Sequence, residues 1–413
     1  MSSPSLSVPA PSRSAGPGQQ NWPWWPLLPL YPYGRRRTLV RELIPDQMWS
    51  FEQLLGVWYV AVPIRMTALR TAQGLLLYAP VAPTAELLEA LRALECRFGP
   101  VHAIVLPTAS GLEHKLPVPA LARAFPQAQV WVTPGQWSYP LQLPLRWLGF
   151  PPGRTLVLFE DGLPAAAELE WLPLGPFDLG LGSFMEVACF DRARGVLLVT
   201  DALVAIPSGP PAVFDLDPTP LLFHARERGD QPLQDSPAAR RRGWQRLVLF
   251  ANYLRPAPLR IPPLLQVLRR SLAPGCRSPR CHFGLYPFAW QEHWQADFQA
   301  LVPADMPQIQ VAAVLERLVF PRCRPAVVAW IRRLAGLTGV RQLIGAHYEA
   351  PVACGPGDLA ALADRVETGD WAPDAGNWAA LAAIDSTLLR LRLVPREPRS
   401  GATAPGEARR DLS

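Results

Sequence analysis

The sequence predicts an α/β fold whose strands and helices alternate early in the chain and whose later part is mostly helical. Between residues 74 and 134, short apolar runs alternate with helical segments in the order β-α-β-α-β. Strand-like segments separated by turn residues follow between residues 154 and 204. Residues 240–340 carry apolar residues mostly at helical spacing. The length allows either one large domain with elaborations or two domains.

Two segments of unusual composition precede the first strand. Residues 1–20 consist mainly of Ser, Pro, Gly and Gln, which predicts a disordered tail. Residues 21–43 form a Pro/Trp-rich arm, in which repeated prolines exclude a helix. The arm is interpreted either as an extended segment packed across the domain surface or as a peripheral membrane contact. The membrane interpretation depends on aromatic rings beside guanidinium groups, those of Trp22, Trp24, Trp25, Arg35, Arg36 and Arg37.

The first alternating unit begins with a buried strand at GLLLYAP (74–80). Thr84 is the expected N-cap of a helix whose leucines at positions 87, 88, 91 and 94 share one face. VHAIVLP (101–107) and QVWVTP (129–134) are the next predicted strands, and the short helix PALARAFP (119–126) separates them.

Hairpin strands are expected in the middle of the chain, at RTLVLFEDG (154–162), LEWLPLGPF (169–177), SFMEVACFD (183–191) and RGVLLVTDALV (194–204). Residues 205–238 are rich in proline and show little periodicity, so no regular element is predicted there. VRQLIGAHYEAP (340–351) predicts a last strand and loop, and two amphipathic helices follow it before the polar tail.

Composition argues against several classes of protein. No run approaches the roughly 18 apolar residues that a membrane-spanning helix needs, so we expect no transmembrane segment, and no secretory signal is visible. The net charge of +6 is too diffuse to indicate nucleic-acid binding. Six scattered cysteines are typical of reduced thiols, so we expect a cytoplasmic protein, or one that is peripheral on a membrane.

The chain contains a single lysine, Lys115, among 40 basic residues. If Lys has been exchanged for Arg wherever either is tolerated, a lone Lys indicates a position where Arg was not acceptable, since a compact ammonium with a movable pKa differs from a guanidinium. Lys115 ends the stretch LPTASGLEHK (106–115), which follows a predicted strand and also carries Glu113 and His114. A second cluster, formed by Cys276, Cys281, His282 and His293, has spacing that fits no closed zinc site well, and a loop between helices is the preferred interpretation.

The order of these elements resembles that of glyoxalase-like and β-lactamase-like metal hydrolases, which implies an αββα sandwich. TASGLEH (108–114) lies over the family motif T-H-x-H-x-D-H: His114 matches, Glu113 replaces the Asp, and Ala109 and Gly111 stand where two His belong. GVLLVTDAL (195–203) is similar to the strand that carries a bridging Asp, here Asp201. LIGAHYEAP (343–351) resembles the last ligand loop and offers His347, whereas the intermediate His would fall near Gly182 and is absent.

This resemblance implies that the ligands of one metal position are lost and that those of the other are kept. Two imidazoles and two carboxylates can hold one zinc or iron ion, and the implied ligands are Glu113, His114, Asp201 and His347. The alternative is a buried polar network without an ion, in which Lys115 pairs with Glu113 or Asp201 and takes the place of the metal's charge.

Several segments resemble an uncharacterised family of cyanobacteria and plastids, a domain of unknown function known as DUF4336. They include WPWWPLLPLYPYGRRRTLVRELIPDQ, LLLYAPVAPT, LPTASGLEHK, LLVTDAL and AHYEAP. Together the two resemblances imply a metallo-β-lactamase-like domain formed by residues 44–230 and 340–395, a helical insertion at 231–339 and a flexible tail at 396–413. The likeness also implies a photosynthetic source, but no activity.

Three functions are therefore expected. The first is a noncatalytic protein that uses a degenerate metal site for structure or for binding a ligand or partner, with the partner unknown. The second is a mononuclear metal-dependent hydrolase of an ester, thioester or lactone, in which Lys115 stabilises an oxyanion. The third is a peripheral membrane protein of photosynthetic cells that docks through the arm.

Overall fold

Two β-sheets that pack face to face form the centre of the computed structural model. The structure describes residues 30–32, 36–136, 143–180, 182–272, 284–303, 308–369 and 375–397. Trp22, Trp24, Trp25 and Arg35 of the predicted membrane contact lie outside these residues, as do Cys276, Cys281, His282, the predicted tail at 1–20 and residues 398–413. No helix in the described ranges is both long and apolar enough to cross a membrane.

The first sheet contains eight strands in the described part of the chain. They are β1 (Leu30–Tyr31), β2 (Leu39–Ile44), β3 (Met48–Val57), β4 (Val60–Thr71), β5 (Gly74–Tyr78), β6 (Val101–Leu106), β7 (Gln129–Val132) and β8 (Thr155–Val157). β1 and β2 both pair with β3, and the order then runs from β3 to β8. The hairpin strands β2 to β5 are antiparallel, whereas β5 to β8 are parallel because longer connections join them.

The second sheet has the strand order β17-β16-β11-β10-β9. Its strands are β9 (Leu169–Asp178), β10 (Ser183–Asp191), β11 (Val196–Val199), β16 (Gln342–Gly345) and β17 (Val352–Ala353). β11 and β16 are parallel neighbours although more than a hundred residues separate them. Two smaller ladders pair β12 (Leu203–Ala205) with β15 (Ile309–Val311) and β13 (Leu259–Arg260) with β14 (Ala289–Trp290).

Helices cover the outer face of each sheet. α1 (Ala85–Phe98), the one-turn α2 (Leu112–Lys115) and α3 (Val118–Ala124) follow strands of the first sheet, and α9 (Arg324–Ala335) and α10 (Pro356–Thr368) lie beside the second. Strand side chains alternate between layers: Leu75 and Leu77 face α1, whereas Leu76 and Tyr78 point between the sheets towards Trp171. This layer order is the αββα sandwich, so the predicted fold class is confirmed.

Helix α1 shows how the sequence sets local structure. The Thr84 side chain accepts a hydrogen bond from the Leu87 backbone N–H, as predicted for an N-cap. Leu87, Leu91 and Leu94 are buried against the first sheet. Gly99 ends the helix with a φ of 96°, a backbone conformation that side chains disfavour.

The remaining helices are α4 (Thr219–Ala225), α5 (Pro237–Tyr253), α6 (Leu264–Ser271), α7 (Trp294–Leu301), α8 (Ala313–Leu318) and α11 (Ala375–Arg390). α4 lies within the segment 205–238, for which the sequence predicts no regular element. Its residues from Pro220 to Ala225 are all buried, so no apolar periodicity marks the helix. At Gly243 of α5 a Cβ would lie 1.8 Å from the Leu221 carbonyl oxygen, so only glycine allows this close packing of α4 and α5.

Candidate metal centre

The candidate centre lies where strands of both sheets end. Glu113 and His114 are on α2, a few residues after β6. Asp201 and His347 each follow a strand by two residues, β11 and β16 respectively. Because Val199 and Gly345 are register partners in these parallel strands, the chain leaves both strands at the same end of the sheet.

Four side chains that are distant in the sequence meet at this end. One ligand atom from each of Glu113, His114, Asp201 and His347 lies within 4.8 Å of the others. His347 Nε2 is 3.1 Å from Asp201 Oδ1, and the two imidazole centroids are 6.0 Å apart. Ligands of a tetrahedral zinc ion at about 2.1 Å are separated from one another by roughly 3.4 Å. The spacing of these atoms therefore fits the donor set of one ion.

Backbone carbonyls orient both imidazoles. His114 Nδ1 lies 3.0 Å from the Pro80 oxygen, and His347 Nδ1 lies 3.1 Å from the Pro63 oxygen. A carbonyl only accepts, so each Nδ1 carries a proton and Nε2 is the ring nitrogen left available to the cluster. His114 Nε2 is buried and has no hydrogen-bond partner. The four residues thus present the ligand chemistry that a metal ion requires.

Two loops beside the imidazoles contain strained backbone. Ala79, which precedes Pro80, has a φ of 57°, and Tyr348, which follows His347, has a φ of 56°. The left-handed conformation costs roughly 1–2 kcal/mol for a residue with a side chain. The fold tolerates this cost at the two places where the chain fixes the imidazole positions.

Asp201 and His347 form the most polarised pair of the site. Burial alone acts to raise the pKa of Asp201, but the hydrogen bond from His347 and the neighbouring imidazole charges outweigh it and lower that pKa. Burial alone acts to lower the pKa of His347, but the contacts with the Asp201 carboxylate outweigh it and raise that pKa. An incoming metal ion would compete with the proton that His347 shares with Asp201.

Glu186 of β10 fixes the backbone that carries Asp201. Its fully buried carboxylate accepts hydrogen bonds from the backbone N–H groups of Thr200, Asp201 and Ala202, at 2.7, 2.9 and 2.7 Å. Burial, followed by the charge of Asp201, raises the pKa of Glu186 to about 7, against the opposing effect of these three donors. The resemblance to metal hydrolases assigned no role to Glu186. A carboxylate within the apolar strand SFMEVACFD was the available signal, because buried charges need partners.

A buried arginine holds the loop that carries His347. Arg65 of β4 donates to the carbonyls of Gly345 and Tyr348, at 2.5 and 2.8 Å. Its Nε donates to Glu52 Oε1 at 3.1 Å, and both side chains are almost fully buried. These contacts connect the first sheet to the last ligand loop, and the sequence offered no spacing that predicts them.

The positions that lack the motif histidines are closed by local packing. Ala109 is fully buried. A Cβ on Gly111 would lie 2.7 Å from Thr108 Cγ2 and 3.1 Å from Glu113 Oε1. Thr108 in turn donates through Oγ1 to Asp201 Oδ2 at 3.3 Å. Residue 111 therefore has no room for a side chain unless Thr108 moves.

Lys115 is almost completely buried beside the candidate centre. Its side chain is 2% exposed, and its Nζ donates to the Ala109 carbonyl at 2.6 Å. Burial lowers the pKa of Lys115 to about 8, and the charge of Glu113 opposes this shift. The predicted pairing with Glu113 thus has an electrostatic basis, and the predicted catalytic role of Lys115 remains a prediction.

Other polar side chains in the described part of the chain make structural contacts. His224 is fully buried, and its Nε2 bonds the Tyr59 carbonyl at 3.0 Å. His102 bonds the Thr71 hydroxyl at 2.9 Å. In the arm, Arg37 binds Glu86 at 2.7 Å, and burial lowers the pKa of Arg36.

Comparison with known proteins gives a family and several similar structures. A family model described as "Domain of unknown function (DUF4336)" matches residues 45–364. No curated protein matches the chain. Similar solved structures include a metal-soaked Flv1 flavodiiron core from Synechocystis sp. PCC6803, with 10% identity and a TM-score of 0.38. That match covers 81% of this chain and 62% of the flavodiiron core.

Two metallo-β-lactamases are also among the similar structures. FIM-1 from Pseudomonas aeruginosa, in its mono-zinc form, has 10% identity and a TM-score of 0.35, covering 80% of this chain and 96% of FIM-1. DIM-1 exposed to ceftazidime has 9% identity and a TM-score of 0.37, covering 81% of this chain and 98% of DIM-1.

Proposed function

The chain belongs to the DUF4336 family, and from that premise we propose that it binds one transition-metal ion through Glu113, His114, Asp201 and His347. The observation that carries this proposal is the convergence of one ligand atom from each of the four residues. One of the four is His114, whose buried Nε2 has no hydrogen-bond partner. Two nitrogen and two oxygen donors suit zinc or ferrous iron.

The electrostatics of the cluster support an ion. Leaving a buried acceptor such as His114 Nε2 unsatisfied costs about 1–3 kcal/mol. The oxygens of Glu113 and Asp201 add negative charge next to this nitrogen. The nearby hydroxyl of Thr108 donates to Asp201 and not to the nitrogen. A cation at the centre satisfies all four groups at once, whereas a proton satisfies only the contact between Asp201 and His347.

The role that this site supports best is noncatalytic binding. Four protein ligands fill a tetrahedral sphere, as they do in structural zinc sites, and leave no position for water. The ion would connect α2 of the first sheet with the loops after β11 and β16 of the second. It would thereby stabilise the end of the sandwich at which a ligand or partner can bind.

A hydrolase of an ester, thioester or lactone is the second candidate, and a specific observation favours it. The side chains of Asp201 and His347 are 18% and 16% exposed, so one side of the cluster faces solvent. An ion that expands its coordination there would polarise a carbonyl and lower the pKa of a bound water. In this scheme Asp201 and His347 hold their positions through Thr108 and the Pro63 carbonyl. Lys115 would supply a proton donor for the developing oxyanion.

Elemental analysis of the full chain, purified without chelator and then loaded with zinc or ferrous iron, tests the proposal. We expect about one ion per chain in the wild type and almost none in His114→Ala. A four-ligand site loses most of its affinity for the ion when one imidazole is removed. A wild-type chain that retains no ion after loading would contradict the proposal and favour the ion-free network.

The same samples separate the two candidate roles. If loaded wild type hydrolyses a simple activated ester and Asp201→Asn does not, the hydrolase is favoured. If the ion raises the melting temperature without any hydrolysis, the noncatalytic role is favoured. Both readouts are needed, since any ion that binds the folded chain raises the melting temperature, whether its role is structural or catalytic.

A further inference from the structure

A row of large aliphatic side chains is exposed around helix α6. Its members are Ile261, Leu264, Leu265, Leu268 and Leu272, whose exposed fractions lie between 46% and 79%. We refer to these five residues as the α6 surface. Within α6, Val267 is the residue that packs against the body of the protein. Soluble proteins rarely expose a contiguous apolar patch of more than a few hundred Å² unless it binds something.

The spacing of these residues places them on one side of the helix. Leu264, Leu265 and Leu268 are separated by one and three positions, and Ile261 and Leu272 continue the same stripe. In a surface helix of a globular protein such a stripe normally faces the core. Here it faces outwards, so the usual packing explanation does not apply to it.

The residues that form the stripe and its flanks carry charge of one sign. Residues 254–272 contain no Asp or Glu, and their arginines are Arg255, Arg260, Arg269 and Arg270. The ion pairs in the described part of the chain include none of these four side chains. Apolar side chains beside unpaired guanidinium groups match an interface that is apolar inside and anionic at its rim.

We propose that the α6 surface docks on an anionic lipid bilayer. Leu264 and Leu265, which are 71% and 79% exposed, protrude from the body rather than line a groove, so they suit insertion between lipid headgroups. In a symmetric pair of chains joined through this surface, the arginines of both copies would face one another, which disfavours self-association. None of its five residues belongs to the Trp-containing arm or to the metal centre.

Sedimentation of the full chain with lipid vesicles tests this docking. One set of vesicles is phosphatidylcholine, and in the other a third of the lipid is phosphatidylglycerol. The wild type is expected to sediment with the anionic vesicles and to be released by salt. Leu264→Ser/Leu265→Ser should lower the partition coefficient at least about tenfold, because both side chains insert. Arg269→Gln/Arg270→Gln should lower it about fivefold for each arginine replaced.

Matched variants control for folding and for the other candidate contact. Leu391→Ser/Leu393→Ser replaces two leucines that are 58% and 37% exposed elsewhere and should bind like the wild type. The two double-leucine variants should keep the wild-type melting temperature, since their replaced side chains are exposed. Equal binding to both vesicle types overturns the proposal. Binding to neither type, the result expected if the α6 surface binds a protein instead, also overturns it. So does binding that survives the Leu264/Leu265 change and is lost in Trp24→Ser/Trp25→Ser.

Discussion

Two buried histidines, His114 where the strands of both sheets end and His224 among the helices, each bond a backbone carbonyl in different surroundings. His114 bonds the Pro80 carbonyl through Nδ1, and His224 bonds the Tyr59 carbonyl through Nε2, both at 3.0 Å. The second ring nitrogen of each is buried without a hydrogen-bond partner. Burial and hydrogen bonding alone therefore do not distinguish them.

The surroundings do distinguish them. The rings of Phe250 and Phe288 lie beside His224, and burial lowers its pKa to about 3, with the charges of Arg226 and Arg246 adding to the shift. Around His114, by contrast, three further ligand atoms converge. An unpartnered imidazole nitrogen thus indicates a metal site only where other lone pairs meet it, and nearby cations argue against one.

The largest expected effect is on metal content. His114→Ala should remove nearly all bound ion, whereas His224→Gln, which keeps a donor for the Tyr59 carbonyl, should keep about one ion per chain. Elemental analysis of both variants after identical loading measures the difference. Equal loss of the ion in both would mean that the two histidines differ less than their surroundings indicate.

The next effect concerns the arginine that holds the fourth ligand loop. Arg65→Met removes the donor to the Gly345 and Tyr348 carbonyls. It leaves the buried Glu52 with the Ser50 hydroxyl and one cationic partner, the partially exposed Arg41. Breaking a buried ion pair in this way costs about 3–5 kcal/mol. Chemical denaturation measures the free energy of unfolding, and Arg192→Met, on an exposed pair with Glu170, should change it by less than about 1 kcal/mol.

The third effect is a pH dependence that belongs to His224. Its pKa of about 3 lies below the ordinary 6.5, so the unfolded chain binds the extra proton first as the pH falls. The stability contributed by the neutral ring is complete above pH 6.5 and is lost towards pH 3 by up to about 1.4 kcal/mol per unit. Between pH 3 and 6.5, the free energy of unfolding, measured by chemical denaturation, should change less with pH in His224→Gln than in the wild type. An unchanged dependence on pH would contradict this account.

A smaller effect is expected at the carboxylate that positions Asp201. Glu186→Gln replaces an acceptor with an amide that opposes one of three backbone donors. Changes of this kind behind a ligand weaken metal binding about 10–100-fold. Titration with zinc measures the affinity, and Glu170→Gln on the surface is the control. An unchanged affinity would show that the loop holds Asp201 without Glu186.

The smallest effect is expected at the closed half of the site. Gly111→Ala places a methyl group 2.7 Å from Thr108 Cγ2, so Thr108 must shift and its bond to Asp201 must lengthen. We expect a loss of about 1 kcal/mol in the free energy of unfolding and a reduction in metal affinity of less than about tenfold. Gly209→Ala, where an added Cβ meets no atom within 4 Å and φ is not positive, is the control without crowding.

Much of the fold was predictable because it depends on local patterns. The buried run at 74–78, the Thr84 cap and the leucines of α1 each follow from neighbouring residues, and the structure has them as predicted. Helix α4 was missed because burial on all sides removes the periodicity that would reveal it. The outward stripe of α6 was missed because an amphipathic pattern does not say which side faces the core.

The sequence by itself determined which groups were available at the candidate site: it named Glu113, His114, Asp201 and His347 through their likeness to loops of a known fold. Only the tertiary structure decided that they meet, because the parallel register of β11 and β16 brings Asp201 and His347 to one end of the sheet. It also decided their partners, such as Arg65 and Glu186, because a hydrogen bond depends on distance in space and not on separation along the chain.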